Sequence, residues 1–401
     1  MADYSNKAPG VYVEQVSSGS APIAGAGTST AAFIGIVPDT VKNPDGDAIA
    51  AVGEVKLITN FTEFKTAFGD FSTDSDQSIL AHAVYGFFNN GGTRCYVTRL
   101  ARATTSTTDA EGVVTTTTDY EAIVDISGAL ELLEPIEEIA IVAAPGFTDA
   151  THYAAIAVHC GHMKTRFAIL DTPRDLDAYT TALAANGSAV PATTDSAAVY
   201  FPWIEVYDKA TDDTKYVPPS GHMAGLYARV DAARGVHKAP ANEVVLGAVG
   251  LKYAVSSRQQ DGLNPHGVNV IRKMNGAIRV WGARTVGGDL NTEFKYINVR
   301  RLFNYLHGSV DRGTQWAVFE PNDAALWAKI TRNVSAFLKG VWETGALFGE
   351  KQEEAFYVKC DAETNPPAVR DLGKVVTEIG VAITKPAEFV IFRLGQKTSS
   401  S

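Results

Sequence analysis

Cysteine is scarce in this chain. Three occur in 401 residues, Cys95, Cys160 and Cys360, and they lie far apart. An odd, widely spaced set builds neither a disulfide frame nor the paired clusters of a zinc site, so the three read as free, buried thiols of a reducing compartment. Long apolar runs are missing as well. No stretch of about 18 or more apolar residues occurs, which excludes a helical membrane span. The opening MADYSNKAPG has no basic stretch leading into an apolar one, so no secretory signal is expected. Positive charge is in deficit, with 35 Lys and Arg against 45 Asp and Glu. The deficit is uneven. Residues 1–263 carry 17 basic against 31 acidic side chains, whereas residues 264–351 carry 12 against 7. An acidic N-terminal two thirds is a poor surface for nucleic acid. The basic segment suits an acidic protein surface, or is simply a solvated helix face.

The signatures of chemistry are also sparse. No GxxxxGK[ST] occurs, and Gly25-Ala26-Gly27-Thr28-Ser29-Thr30 is a small-residue linker rather than a phosphate loop. His159-Cys160-Gly161-His162 fits poorly on one helical face and has no second ligand cluster nearby, so no metal is expected. Ser220-Gly221-His222-Met223-Ala224 resembles a hydrolase fragment only superficially, because the flanks of a G-x-S-x-G elbow are missing. Asp171-Thr172-Pro173 reads as the close of a strand, with the acid as a turn residue. No catalytic residue and no cofactor is assigned.

What is present is an ordinary globular composition, 45% hydrophobic and 20% charged, long enough for two or three domains. Apolar strands at 31–37, 54–58, 95–100, 139–146, 166–170 and 198–201 alternate with helical patterns at 61–69, 77–89, 152–163 and 175–185. That alternation predicts an α/β fold with a mainly parallel sheet covered on both faces. Residues 103–118 are rich in threonine and read as an exposed loop or loose hairpin. A helix opens at Pro218-Pro219 and runs to about Gly235, and a loop follows through Pro265. Then come a strand at 277–281, helices at 292–311 and 322–345, and a strand at 356–359. The longest helix, 322–345, carries Leu326, Ile330, Val334, Phe337 and Val341 on one stripe and Lys329, Arg332 and Lys339 on another.

Both ends read as adhesive strands. Near the start stand Val11, Tyr12, Val13, Glu14, Gln15 and Val16, tethered by the flexible composition of 17–30. Near the end, a strand at 375–383 is followed by Glu388, Phe389, Val390, Ile391, Phe392, Arg393 and Leu394. This last run is almost continuously apolar, so both of its faces require burial. Each terminal strand pairs either within its own fold or with a neighbouring chain.

PGVYVEQVSSGSAPIAGAGTSTAAFIG at 9–35 resembles the N-terminus of contractile phage-tail sheath proteins. PPSGHMAGLYARVDAARGVHKAPAN (218–242), VWGARTV (280–286), YINVRRLFNYL (296–306), FEPNDAALWAKITRNVSAFLKGVWETGALFG (319–349) and GVAITKPAEFVIFRL (380–394) agree with it in order. The likeness weakens between about 100 and 200. It implies a subtilisin-like but non-catalytic α/β domain at 31–262. It also implies an α+β inner sheath domain at 263–384, with exchange arms at 1–30 and 385–401. It further implies six-subunit rings stacked around an inner tube protein, with baseplate and terminator or cap proteins as further partners. On this reading the chain assembles in the bacterial cytoplasm, contracts without nucleotide, binds no nucleic acid and does not insert into membrane. Lys329, Arg332 and Lys339 would face the tube. The short chain favours a bacteriocin or extracellular injection system over a large phage. Two other classes stay open: an α/β hydrolase-like enzyme, and a basic-surface module that binds an acidic polymer.

Overall fold

The computed structural model describes residues 22–101, 104–108, 114–118, 126–176, 178–184 and 189–392. The first half runs β1 (Ala31–Ile36), β2 (Val55–Ile58), α1 (Phe61–Phe68), α2 (Ser75–Asn89), β3 (Cys95–Leu100), β4 (Thr104–Thr108), β5 (Val114–Thr118), α3 (Ile126–Leu133), β6 (Ile141–Ala143), α4 (Ala150–Met163), β7 (Phe167–Asp171) and α5 (Tyr179–Ala182). It continues with β8 (Ala197–Phe201), β9 (Ile204–Asp208), β10 (Asp213–Val217), α6 (Ser220–Arg234), β11 (Ala248–Leu251), α7 (Ser257–Leu263), β12 (Val268–Met274) and β13 (Ala277–Val280). The last part is α8 (Ile297–Thr314), α9 (Ala324–Glu343), α10 (Gln352–Ala355), β14 (Phe356–Lys359), α11 (Pro367–Arg370) and β15 (Glu378–Val381).

One eight-stranded sheet, in the order β13-β12-β8-β7-β6-β1-β3-β2, organises the first 280 residues. Its six inner strands pair in parallel, and the antiparallel β2 and β13 close its two edges. Strands buried on both faces must be apolar throughout, and Ala31–Gly35, Phe167–Asp171 and Ala197–Phe201 are buried at every position. One face packs on α1, α2 and α6 through Phe64, Phe87, Met223 and Tyr227. The other packs on α3, α4 and α7 through Leu130, Ile156 and Leu263. Helices α2 and α6 cross closely because α6 presents glycine at the contact. A Cβ on Gly225 would stand 2.2 Å from the Phe87 carbonyl oxygen, and one on Gly221 would stand 2.4 Å from the Ala83 backbone.

The expected division at 262/263 falls ahead of two strands that the large sheet uses, because β12 pairs with β8 and β13 with β12. Beyond them, α8 and α9 pack with the β14–β15 ribbon around Leu302, Leu306, Ile330, Val334, Leu338 and Phe356. The stripe expected on the long helix is the buried one, save that Phe337 is only half-buried. The threonine-rich stretch forms the β4–β5 hairpin. A three-stranded antiparallel sheet with β9 at its centre, β10-β9-β11, takes β9 and β10 from residues 202–217, where no element was expected, and β11 from the expected loop.

Candidate functional site at the chain ends

Val11 to Val16 lie outside the described residues, as do Arg393 and Leu394. The stretch between β15 and residue 392 is described, and it departs from expectation in one respect. The strand expected at 375–383 forms over Glu378–Val381, antiparallel to β14. Glu388–Phe392 carries no strand. The reason is physical. A strand exists only with a ladder partner, and Phe389 to Phe392 make no backbone hydrogen bond among the described residues. The four side chains stand between 70 and 84% exposed. The run is thus apolar, exposed and without a ladder partner among the described residues.

Glu388, by contrast, is tied down. Its carboxylate takes two bonds from Arg284, Nε to Oε1 at 2.8 Å and Nη2 to Oε2 at 2.9 Å. Asn264 Nδ2 donates to Oε1 at 2.8 Å and the Tyr296 hydroxyl to Oε2 at 2.9 Å. Burial opposes the charge, but these bonds outweigh it and hold the carboxyl below the usual carboxylate range. The sequence showed Glu388 only as the first residue of a strand.

The segment preceding β1 is also fixed. Residues 17–30 were expected to be flexible or extended, and 22–30 lies docked along α8 without forming a helix or strand. Ile23 is buried in the core of the C-terminal layer. The Ala26 amide donates to Ser309 Oγ at 2.8 Å. Thr28 donates from Oγ1 to Asp231 at 2.7 Å, and its carbonyl accepts from Arg301 at 2.9 Å. Arg301 and Asp231 form a buried two-pronged ion pair with contacts of 2.9 and 2.6 Å, and the guanidinium lies 4.7 Å from the Tyr227 ring centre. Small residues let the segment lie flat on a helix, and buried charge is tolerated because it is paired.

The three basic residues of α9 have different surroundings. Lys329 lies 4.1 Å from the ring centre of Trp316, a cation–π contact that already occupies it. Arg332 is exposed. Lys339 is exposed and 3.8 Å from Glu343. Between α8 and α9, Phe319 holds a left-handed φ of +66° and is wholly exposed.

The sequence also missed a buried polar contact. Asp171, at the end of β7, accepts from the Ser220 amide at 2.8 Å and from the Ser220 hydroxyl at 2.6 Å, and from the Gly146 amide at 3.2 Å. It closes β7 as expected, but as a buried acceptor and not as a turn residue. Helix α6 has Pro219 at its N-cap and no side-chain cap of its own, so Asp171 supplies that acceptor from another strand. Burial raises the acid to about 7, against the pull of the three donors. Among the described residues no histidine bonds to Ser220, so the pair has no imidazole relay. His159 instead receives Arg166 Nη1 at 2.7 Å and is pushed down to about 4 by burial and that charge. Cys160 is buried beside it and His162 is exposed, which separates the three. All three cysteines are free and buried.

Comparison with known proteins bears on these features. Residues 114–286 match the phage tail sheath protein central domain, and residues 289–397 match the phage tail sheath C-terminal domain. The tail sheath protein of Enterobacteria phage T4 is 26% identical over 187 residues, 46% of this chain and 28% of that protein. That of Burkholderia phage BcepMu is 27% identical over 204 residues, 49% of this chain and 42% of the relative. The chain spans less than two thirds of the length of the curated relatives it matches. Solved structures match over greater lengths. The sheath complex of an extracellular contractile injection system, PVC, in its contracted state is 28% identical, with a TM-score of 0.76 over 98% of each chain. A chain of the anti-feeding prophage (AFP) baseplate is 28% identical, with a TM-score of 0.74 over 98% of this chain and all of its own. With both sheath domain models matched in order, and the mixed α/β architecture shared along nearly the whole length, this chain belongs to the phage tail sheath family.

Proposed function

We propose that the chain is the subunit of a contractile sheath. It polymerises helically as stacked six-membered rings around an inner tube and contracts to drive that tube through a target envelope. The observation that carries this reading is the apolar run Phe389–Phe392, exposed beyond an anchored Glu388. Such a run gains its ladder and its burial only from another chain. Together with residues 11–16 of a second neighbour, it would join subunits by backbone hydrogen bonds that persist while whole subunits rotate. The half-open β14–β15 ribbon is the acceptor we favour, since a two-stranded sheet leaves edges unpaired. Because 22–30 is docked, those residues do not supply the hinge of the N-terminal arm.

The central domain, subtilisin-like in this reading, serves as an outer scaffold, and its boundary with the C-terminal sheath domain falls between residues 286 and 289. The basic face of α9, with Lys339 and above all Arg332, meets an acidic tube surface; Lys329 contributes through Trp316. Baseplate and cap proteins bound the polymer, which is assembled in the bacterial cytoplasm as part of a phage tail or tail-like particle. Likeness over nearly full length to the PVC and AFP chains favours an injection-system type.

Electron microscopy of the untagged chain beside a variant lacking residues 1–20 tests the reading. Striated hollow tubes are expected from the full chain. Compact particles of unchanged circular dichroism are expected from the truncation. Tubes from both samples would remove the N-terminal arm from the mechanism. Compact particles from both would return attention to the hydrolase alternative and to Asp171 and Ser220.

A further inference from the structure

Four separate segments meet at Glu388. Asn264 lies in the turn after α7, Arg284 in the loop after β13, and Tyr296 immediately before α8. Glu388 is the last residue before the exposed run. The chain is also held upstream, where the Thr384 amide donates to the Ala346 carbonyl at 3.1 Å. The fixed path therefore ends at one carboxylate, and the exposed apolar run begins with the next residue. We propose that the Glu388–Arg284–Tyr296–Asn264 cluster is a clasp that sets the departure point and register of the C-terminal arm. It makes Glu388 a positioning residue for assembly.

Arg284 keeps a second carboxylate through Nη1, with Asp289 at 3.1 Å, and the same nitrogen donates to the Asn264 carbonyl at 3.0 Å. Lys295 reaches the same Asp289 oxygen at 2.5 Å. Among the described residues Nε and Nη2 of Arg284 bond only to Glu388, so withdrawal of Glu388 would leave two buried donors unpaired, the penalty that makes a buried ion pair hard to open. A paired and planar fork, rather than a point charge, fixes direction as well as distance. A one-residue slip in a strand exchanges its two faces, so an arm of a few residues needs such a fixed origin. This inference rests on the reading that the arm docks on a neighbouring subunit.

The test uses the full chain in three forms: wild type, Glu388→Gln, and Phe389→Ser with Phe392→Ser. The readouts are the critical concentration for tube formation and, in unassembled subunits, the spread of distances between spin labels at Ile391→Cys and Val158→Cys. The three native cysteines are buried and spare the labelling. Glu388→Gln should raise the critical concentration about tenfold or more, the equivalent of one charge-assisted bond, and should broaden the distance distribution. An unchanged critical concentration or an unchanged width overturns the clasp. The double serine variant should abolish tubes. If it assembles like the wild type, the docking reading itself falls, whatever Glu388 does.

Discussion

Asp171→Asn isolates the energetic role of one buried carboxyl. Asp171 is fully buried, and its protonation midpoint is raised from 3.8 to about 7. Between these values the folded protein holds a proton that the unfolded chain has released. Stability therefore falls as pH rises through this window, by about 1.4 kcal/mol per pH unit where the two states differ by a full proton. Across roughly three units the total is about 4 kcal/mol. The contribution is fully present below pH 3.8 and is lost once pH passes the folded value near 7. Asparagine can still accept from the Ser220 amide and cap α6, but it carries no charge to desolvate. Urea unfolding of wild type and variant should be followed by tryptophan fluorescence at matched concentration, at pH 4.5, 6 and 7.5. Other groups titrate in both proteins and cancel in the difference. The variant should gain on the wild type by about 3–4 kcal/mol between the lowest and highest pH. A flat difference would refute the assignment of a costly buried charge at this position.

Two further outcomes follow from exposed side chains. Phe319→Gly removes a left-handed φ from a bulky residue that touches almost nothing in the subunit, so stability by urea midpoint should rise by about 0.5–1 kcal/mol; a loss would show that the strain is absent. Reversing Arg332 and Lys339 to glutamate should leave the unfolding midpoint within about 0.5 kcal/mol and abolish co-sedimentation with purified inner tubes. Undiminished co-sedimentation would move the tube contact to another face.

The parts of the fold with strong local patterns were legible in the sequence. Ala31–Ile36 and Ala197–Phe201 announce themselves because strands buried on two faces are largely apolar, and Cys95–Leu100 does so despite Thr98 and Arg99. Helices α2 and α9 carry both periodicity and capping acids, with Asp74 and Asp323 at their N-caps. The β10-β9-β11 sheet was not legible. Asp213–Val217 is polar and mostly exposed or half-exposed, and Gly247 precedes β11 while Gly250 interrupts it, so neither run carries a strand signal. Val268–Met274 was hidden for a different reason: it follows directly on the Asn264–His266 turn, whose composition extends the loop signal across it. The helix expected at 175–185 is described only over Tyr179–Ala182, where threonines weaken helical preference.

The candidate site divides in the same way. Hydrophobicity marked the run at 388–394 as needing burial on both faces and left open whether its own fold or a neighbour supplies it. It could not distinguish Glu388 from the residues after it, because the difference lies in Arg284, Tyr296 and Asn264, up to 124 positions away. The Asp171–Ser220 contact spans 49 positions and likewise has no local signature.

The placement of both ends on α8 has a mechanical consequence. Residues 23 to 28 run down that helix from Gly313, against which Ile23 packs, to Arg301, which holds Thr28. Glu388 grips Tyr296 at the opposite end of the same helix. If the two arms join neighbouring subunits as proposed, load on residue 22 and load on residue 389 would reach α8 from its two ends, and the helix would act as a strut that carries force between them without passing it through the parallel sheet.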